Sequence, residues 1–224
     1  MQSWKDIFPK KGEIYFAGAL ENNEDTGTLQ YLASTAMEAG FSTRVLDMQA
    51  LDLQNGRFFD PAGELVNRCF KLYPWEWMVD ESPDGCLAEM EWLEPIWKLV
   101  MSNKAILATL YELFPDSPYV LPCYLSRPRS GLFCKKPVFS REGHNVSVVD
   151  IRNWEEHVRI AETEGDYNTG AYVYQEYVEP TVYSGRYPVI GSWIIGGEAA
   201  GIGIRENRME VTDNLSEFVP HIIG

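Results

Sequence analysis

Histidine and cysteine are both scarce. The 224 residues include three His and four Cys, and none sits at metal-ligand spacing: there is no CxxC pair and no HExxH. A zinc site is therefore not expected. Cys69, Cys86, Cys123 and Cys134 read instead as reduced, mostly buried thiols of a cytosolic protein. Basic residues are also short, 19 Lys and Arg against 33 Asp and Glu, for a formal charge of −14. That balance argues against nucleic acid or an anionic membrane as the main partner. No apolar run approaches the roughly 18 residues of a membrane span. The opening "MQSWKDIFPKKGE" has no signal-peptide character, so a cytoplasmic protein is expected. A Walker A loop, a Rossmann fingerprint, internal repeats and low-complexity tracts are all missing.

What is present suits a packed α/β chain. Apolar residues make up 45% and aromatics 13%, seven Trp among them, enough for a sizeable core. Residues 13–19, "EIYFAGA", read as a buried strand. From Thr26 to Gly40 the apolar spacing predicts a helix, with Thr26 or Thr28 as N-cap and Gly40 closing it. "STRVLDM" (42–48) then predicts a second strand of a parallel β-α-β unit. Asn55-Gly56 and "PAG" at 61–63 mark a hairpin-like excursion, and "RCFKLY" (68–73) a further strand. Residues 90–115 read as helix-rich, broken near Ser102, with Asn103 capping a helix that opens at Lys104. Beyond a proline-punctuated loop, 132–138, 145–151, 171–178, 188–195 and 198–205 read as strands and 153–164 as a helix. A boundary near residue 102 separates a small parallel α/β lobe (1–102) from an antiparallel α+β lobe (103–224).

Four local patterns carry chemistry. Lys104 and Lys136 stand at the edges of apolar segments, and ammonium groups are point charges suited to phosphate oxygens. After the second lies the turn Ser140, Arg141, Glu142, Gly143, where glycine permits close backbone approach and successive N–H groups can cradle an anion. "AYVYQEYVEP" (171–180) looks like a hinge strand. There the backbone of Glu176 and Val178 is placed to bond an adenine edge, and Glu179 a ribose hydroxyl. "GSWIIGGEAAGIGIRE" (191–206) is an apolar hairpin turning at Gly196-Gly197 and ending in Arg205, whose planar fork suits a phosphate or acyl-phosphate. Read singly, each pattern is equally an ordinary surface feature.

Together, "SNKAIL", "CKKPVFSREG", "YVYQEYV", "GSWIIGGEAAGIGIRE" and "FVPH" occur in one order. That order resembles the glutathionylspermidine synthase family, in its stand-alone synthetase-like branch, from about residue 13 to 222. "KLYPWEWM" (71–78), "EWLEPIWKLVMSNKAIL" (91–107) and "NNEDTGTLQYLASTAMEAGFSTRVLD" (22–47) share the likeness. The resemblance implies an ATP-grasp-like fold and an ATP-dependent carboxylate–amine ligase working through an acyl-phosphate. On it, Lys104 and Lys136 hold phosphates, Ser140 to Gly143 form a flexible flap, and Gln175, Glu176 and Val178 belong to the adenine hinge. Arg205 steadies the transferring group. Glu76, between Trp75 and Trp77, either faces an amine substrate or points to water beside two packing rings. Glu217 is a second candidate for the amine site, where relatives of this branch usually carry arginine.

The chain departs from the family at its start. The family's Mg2+-binding carboxylates and asparagine, and a catalytic arginine, lie in segments of the type R-x-D and L-E-x-N-A-D-T, and this sequence is expected to begin after them. "ALENNEDTG" (19–27) resembles the second segment, yet its surroundings align with a later strand–helix unit in which Thr26 replaces an arginine. Mg2+ is thus expected to be ligated from outside this chain. The reading is a ligase portion with ATP and small-molecule substrates, a peptide-like carboxylate and an amine or polyamine. It would be either a truncated product or one piece of a split enzyme completed by a partner chain. The alternative is a non-catalytic nucleotide-binding or scaffold module of the same fold.

Overall fold

The computed structural model describes residues 2–160, 162–167, 170–212 and 216–222. The chain divides into two compact units, one ending at Leu99 and the next beginning at Val100. Among the described residues no helix is long and apolar enough to cross a membrane.

In the first unit a short helix, α1 (Gln2–Ile7), precedes β1 (Glu13–Gly18), α2 (Asn23–Glu38) and β2 (Ser42–Asp47). β1 and β2 pair in parallel from Glu13 with Ser42 to Gly18 with Asp47. β1 is apolar along its length because both faces are covered, as is usual for parallel strands. Ile14 and Phe16 pack with Leu29, Ala33 and Ala36 of α2. Tyr15 and Ala17 pack with Cys69, Trp75 and Met78. The helix starts earlier than the threonines suggest. Asn22 is the N-cap, its Oδ1 accepting from Glu24 N at 2.9 Å, and Thr26 lies inside the first turns with its hydroxyl on Leu20 O. An amide oxygen at Asn22 reaches the free N–H groups one turn before either threonine does, and Glu24 and Asp25 then suit the positive helix end. Gly40, past the C-cap, adopts φ +95° and donates to Met37 O.

The excursion is a three-stranded meander, β3 (Asp52–Gln54), β4 (Arg57–Phe59) and β5 (Leu65–Val66), turning at Asn55-Gly56. β6 (Arg68–Leu72) returns parallel to β1, and α3 (Trp75–Glu81) and α4 (Pro83–Cys86) lead to β7 (Glu91–Leu93). The sheet order is β2-β1-β6-β7. β7 falls where helix was expected. Three residues beside β6 are too short to show periodicity, and pairing with Arg68 to Phe70 decides their state.

Short helix α5 (Leu99–Ser102) precedes α6 (Ala105–Leu113), whose first turn is fixed by Asn103 Oδ1 accepting from Ala105 N at 2.8 Å. The five-stranded antiparallel sheet of the second unit comprises β8 (Cys123–Tyr124), β9 (Gly131–Pro137), β10 (Ser147–Arg152), β11 (Glu155–Ile160) and β12 (Tyr172–Glu176), ordered β11-β10-β9-β12-β8. Here the predicted 153–164 helix is corrected to a strand. Asn153 and Trp154 take positive φ, 51° and 72°, making a two-residue turn that sets Glu155 opposite Arg152. Residues 161, 168 and 169 lie outside the described set. A final sheet contains β13 (Tyr187–Ile195), β14 (Glu198–Asn207) and β15 (Glu217–Val219), with Gly196-Gly197 as its tight turn.

Candidate functional site

Alternation along β9 separates its two lysines. Lys136 stands opposite Val173, and Lys135 opposite Tyr174, so they point to opposite faces. Lys135 belongs to a structural network. Its Nζ lies 2.9 Å from Glu156 Oε2, Tyr174 OH donates to Glu156 Oε1 at 2.7 Å, and Arg127 approaches the same carboxylate. Lys136 shares its face with Cys134, Gln175 and the α6 contacts of Val173 and Cys123. Its Nζ donates to Gln175 Oε1 at 2.6 Å.

Lys104 is tied to the same stretch of chain. Its N–H donates to Val138 O at 2.8 Å, one residue past the end of β9. Its ammonium donates to both the carbonyl and the hydroxyl of Ser140, the latter at 2.9 Å. The turn beyond Ser140 closes with His144 N on Arg141 O, and Glu142 and Gly143 take positive φ, 55° and 75°. Gly143 is required twice over. A Cβ there would lie 2.1 Å from Thr212 O. The far end of the turn is stitched by Thr163, which donates through Oγ1 to Gly143 O and accepts from Val146 N, and by Asn145 Oδ1, which accepts from Tyr167 N. Lysine, turn and strand thus meet as one assembly. The expected flap is pinned at both ends.

The segment expected to be the hinge continues the ladder of β12. Glu176 N donates to Pro122 O at 2.8 Å and Tyr177 N to Leu132 O at 3.0 Å. Glu176 and Val178 are exposed. Glu179 lies at the edge of ion-pair reach of Arg159, at 3.9 Å. Arg205, on β14 opposite Val189 and Phe218, is exposed with its guanidinium 5.8 Å from the Phe218 ring centre. Glycines 191 and 203 pair beside it, so the sheet around Arg205 is bare backbone flanked by Trp193 and Phe218.

The two amine candidates differ in setting. In the first unit, β1 connects to β2 on one side while β6 lies on the other. The crevice of such a sheet opens at the carboxyl ends of β1 and β6. Glu76, in the first turn of α3, directly follows the end of β6. Trp75 is core, its Nε1 donating to Glu94 O at 3.2 Å and its ring 3.9 Å from Lys71 Nζ, whereas Trp77 is half-exposed against Tyr73. Glu217, by contrast, stands opposite Glu206 and 3.7 Å from Arg186. A cavity of about 820 Å3 opens at the other end of this sheet, beside Glu13, Arg68, Glu89 and Glu91. Its carboxylates are each matched to an arginine, Arg44, Arg57 or Arg68, and it contains none of the expected site residues. Among the described residues no group of three or more His, Cys, Asp or Glu side chains fits a metal ion.

The sequence pattern of the glutathionylspermidine synthase pre-ATP-grasp region matches residues 1–224. The chain belongs to the glutathionylspermidine synthase family. A Haemophilus influenzae protein named as an acid–amine ligase is 36% identical over 207 residues, covering 88% of this chain and 53% of that protein. Trypanothione synthetase of Crithidia fasciculata is 36% identical over 130 residues, 57% of this chain and 19% of that one. The bifunctional glutathionylspermidine synthetase/amidase of Escherichia coli is 26% identical over 232 residues, 89% and 36% respectively. This family member therefore spans about half, or less, of the length of these relatives. Among solved structures, D-cycloserine synthetase matches with TM-score 0.54 at 14% identity, over 94% of this chain and 76% of that one. The fold is the expected mixed α/β, ATP-grasp-like arrangement of a parallel lobe followed by antiparallel sheets.

Two residues that sequence reasoning passed over adjoin the lysine face. Tyr177 OH donates to Glu210. Burial raises the Cys134 thiol, with Lys136 opposing and Glu210 adding to the rise. The signal was local and small: Asn207 Oδ1 accepts from Arg208 N and its Nδ2 donates to Val211 O, folding 208–211 back.

Proposed function

We propose that this chain supplies the nucleotide clamp of an ATP-dependent carboxylate–amine ligase. The observation that carries the reading is the Lys136–Gln175 bond, which joins the phosphate-holding strand to the hinge strand on one face. Lys104, tied to Ser140, adds a second ammonium at the mouth of the turn. The adenine lies along Glu176 to Val178, the phosphates between Lys136, Lys104 and the turn Ser140 to Gly143. Arg205 neutralises charge on the acyl-phosphate. Mg2+, when bound, would supply neutralisation of phosphate charge, and no carboxylate cluster among the described residues would hold it. The amine, a polyamine or similar cation, meets Glu76 at the crevice of the parallel sheet, and the acid is peptide-like.

Calorimetric titration of the 224-residue chain with ATP tests this. Weak but measurable binding, abolished in a Lys104→Ala, Lys136→Ala double variant, is expected. Amine-dependent ADP release is expected only when the segment carrying the metal ligands is added. Lack of ATP binding would overturn the nucleotide reading. Robust turnover of glutathione and spermidine by this chain alone would overturn its division of labour.

A further inference from the structure

We propose that Pro122 selects adenine at the hinge by withholding a hydrogen-bond donor, an inference that rests on the nucleotide reading above. β12 and β8 pair with Gln175 opposite Cys123 and Tyr174 opposite Tyr124. One step further along this register, Pro122 stands opposite Glu176. The Glu176 N–H donates to Pro122 O at 2.8 Å. In an antiparallel pair of this kind the two residues exchange both bonds, N–H to O in each direction. Proline has no N–H to return. The Glu176 carbonyl is therefore left without its ladder donor.

The placement is unusual for proline. On an edge strand the tolerated position turns the donor-less nitrogen towards solvent. β8 is an edge strand, but here the nitrogen side faces β12, inside the sheet. The next residue along β12 confirms which groups are turned where. Tyr177 N–H goes to Leu132 O on the opposite neighbour, β9. Glu176 faces the β8 edge, and the same alternation carried past the end of β12 would turn Val178 to that edge too. An acceptor at Glu176 and a donor at Val178, two residues apart, match the N6 amino group and N1 of adenine. The same pair repels the O6 and N1–H of hypoxanthine. Pro122 supplies no main-chain N–H to compete for that acceptor. It acts through Glu176 and is a positioning residue.

The test is Pro122→Ala in the full chain, titrated with ATP and ITP. The N–H that this substitution introduces would pair with Glu176 O. That bond is visible as a scalar coupling between the backbone nitrogen of the substituted position and the Glu176 carbonyl carbon. ATP affinity is expected to fall about tenfold, the value of one buried hydrogen bond, with ITP affinity little changed. A variant that forms the new bond yet keeps its full preference for ATP overturns the inference. Should the variant fail to fold, N6,N6-dimethyl-ATP, which has no N6–H, serves on the unsubstituted chain. It is expected to bind no better than ITP, and binding equal to ATP overturns the role of the Glu176 carbonyl. If the unsubstituted chain binds ATP not at all, the nucleotide reading itself has failed and this inference falls with it.

Discussion

Lys135 and Lys136 are neighbours in sequence and chemically identical, so exchanging each for alanine separates position from composition. On the proposed function, Lys136→Ala would remove one charge-assisted contact to phosphate. Such a contact is worth about 1.5–3 kcal/mol, so ATP affinity should drop by roughly 10- to 100-fold. Lys135→Ala instead breaks an ion pair whose side chains are 23% and 20% exposed. Exposed pairs contribute about 0–1 kcal/mol and breaking fully buried ones costs about 3–5, so about 1–2 kcal/mol of stability is expected to go. That corresponds to a fall in Tm of about 3–6 °C for a chain of this size, with ATP affinity changed by no more than about twofold. The pH dependence gives a second handle. Burial works to raise the Glu156 carboxyl, but the bonds from Lys135 and Tyr174 outweigh it and hold it below the usual range. A carboxylate depressed in the folded state contributes stability that is present above its unfolded value, about 4.3 for Glu, and lost as pH falls through the folded value. The Tm gap between the parent and Lys135→Ala should thus be widest at neutral pH and close on acidification. Calorimetry and thermal unfolding measure both quantities. If Lys135→Ala weakens ATP binding more than Lys136→Ala, the assignment of faces is wrong.

Gly143→Ala would put a methyl group on Thr212 O in a left-handed backbone, and should cost about 1–3 kcal/mol and speed hydrogen exchange at residues 140–146; an unchanged exchange pattern would contradict the packed turn. Asp60 is held below the usual carboxylate range by the Glu64 N–H, then, against the opposing effect of burial, by Tyr15, the Ala62 N–H and Arg44. Asp60→Asn should lower Tm at pH 7, with the deficit shrinking as acid protonates Asp60 in the parent; a deficit independent of pH would show that charge is not the cause.

Much of this architecture could be read from residues alone, for identifiable reasons. β1 announces itself because a strand covered on both faces is continuously apolar, and Asn55-Gly56 because few dipeptides accept two positive φ values. Residues 155–160 misled because "EEHVRI" is rich in helix formers, and the turn that makes them a strand uses Asn-Trp, where tryptophan holds a positive φ only through its tertiary setting. Lys136 was singled out by its place at the edge of an apolar segment and by the family resemblance, whereas the pairing of Lys135 with Glu156 of β11 depended on the strand that was misread. Glu210 left only the small local signal of Asn207, three residues before it. Its approach to Tyr177 depends on how 208–211 folds back on Asn207, which no periodicity encodes.

The turn between Ser140 and Val146 is held by Lys104 at one end and by Thr163 and Asn145 at the other. A free loop of that length would surrender about 1–2 kcal/mol of backbone entropy per residue on closing around a ligand. In this chain that loss is met at folding, before any nucleotide arrives. On the proposed function, what remains for binding would be an exchange of partners: the Lys104 ammonium would give up Ser140 for a phosphate oxygen, releasing the loop as the site fills. Loop opening and anion arrival then become two sides of one equilibrium, so the off-rate of the turn, rather than its flexibility, would govern how fast the clamp loads.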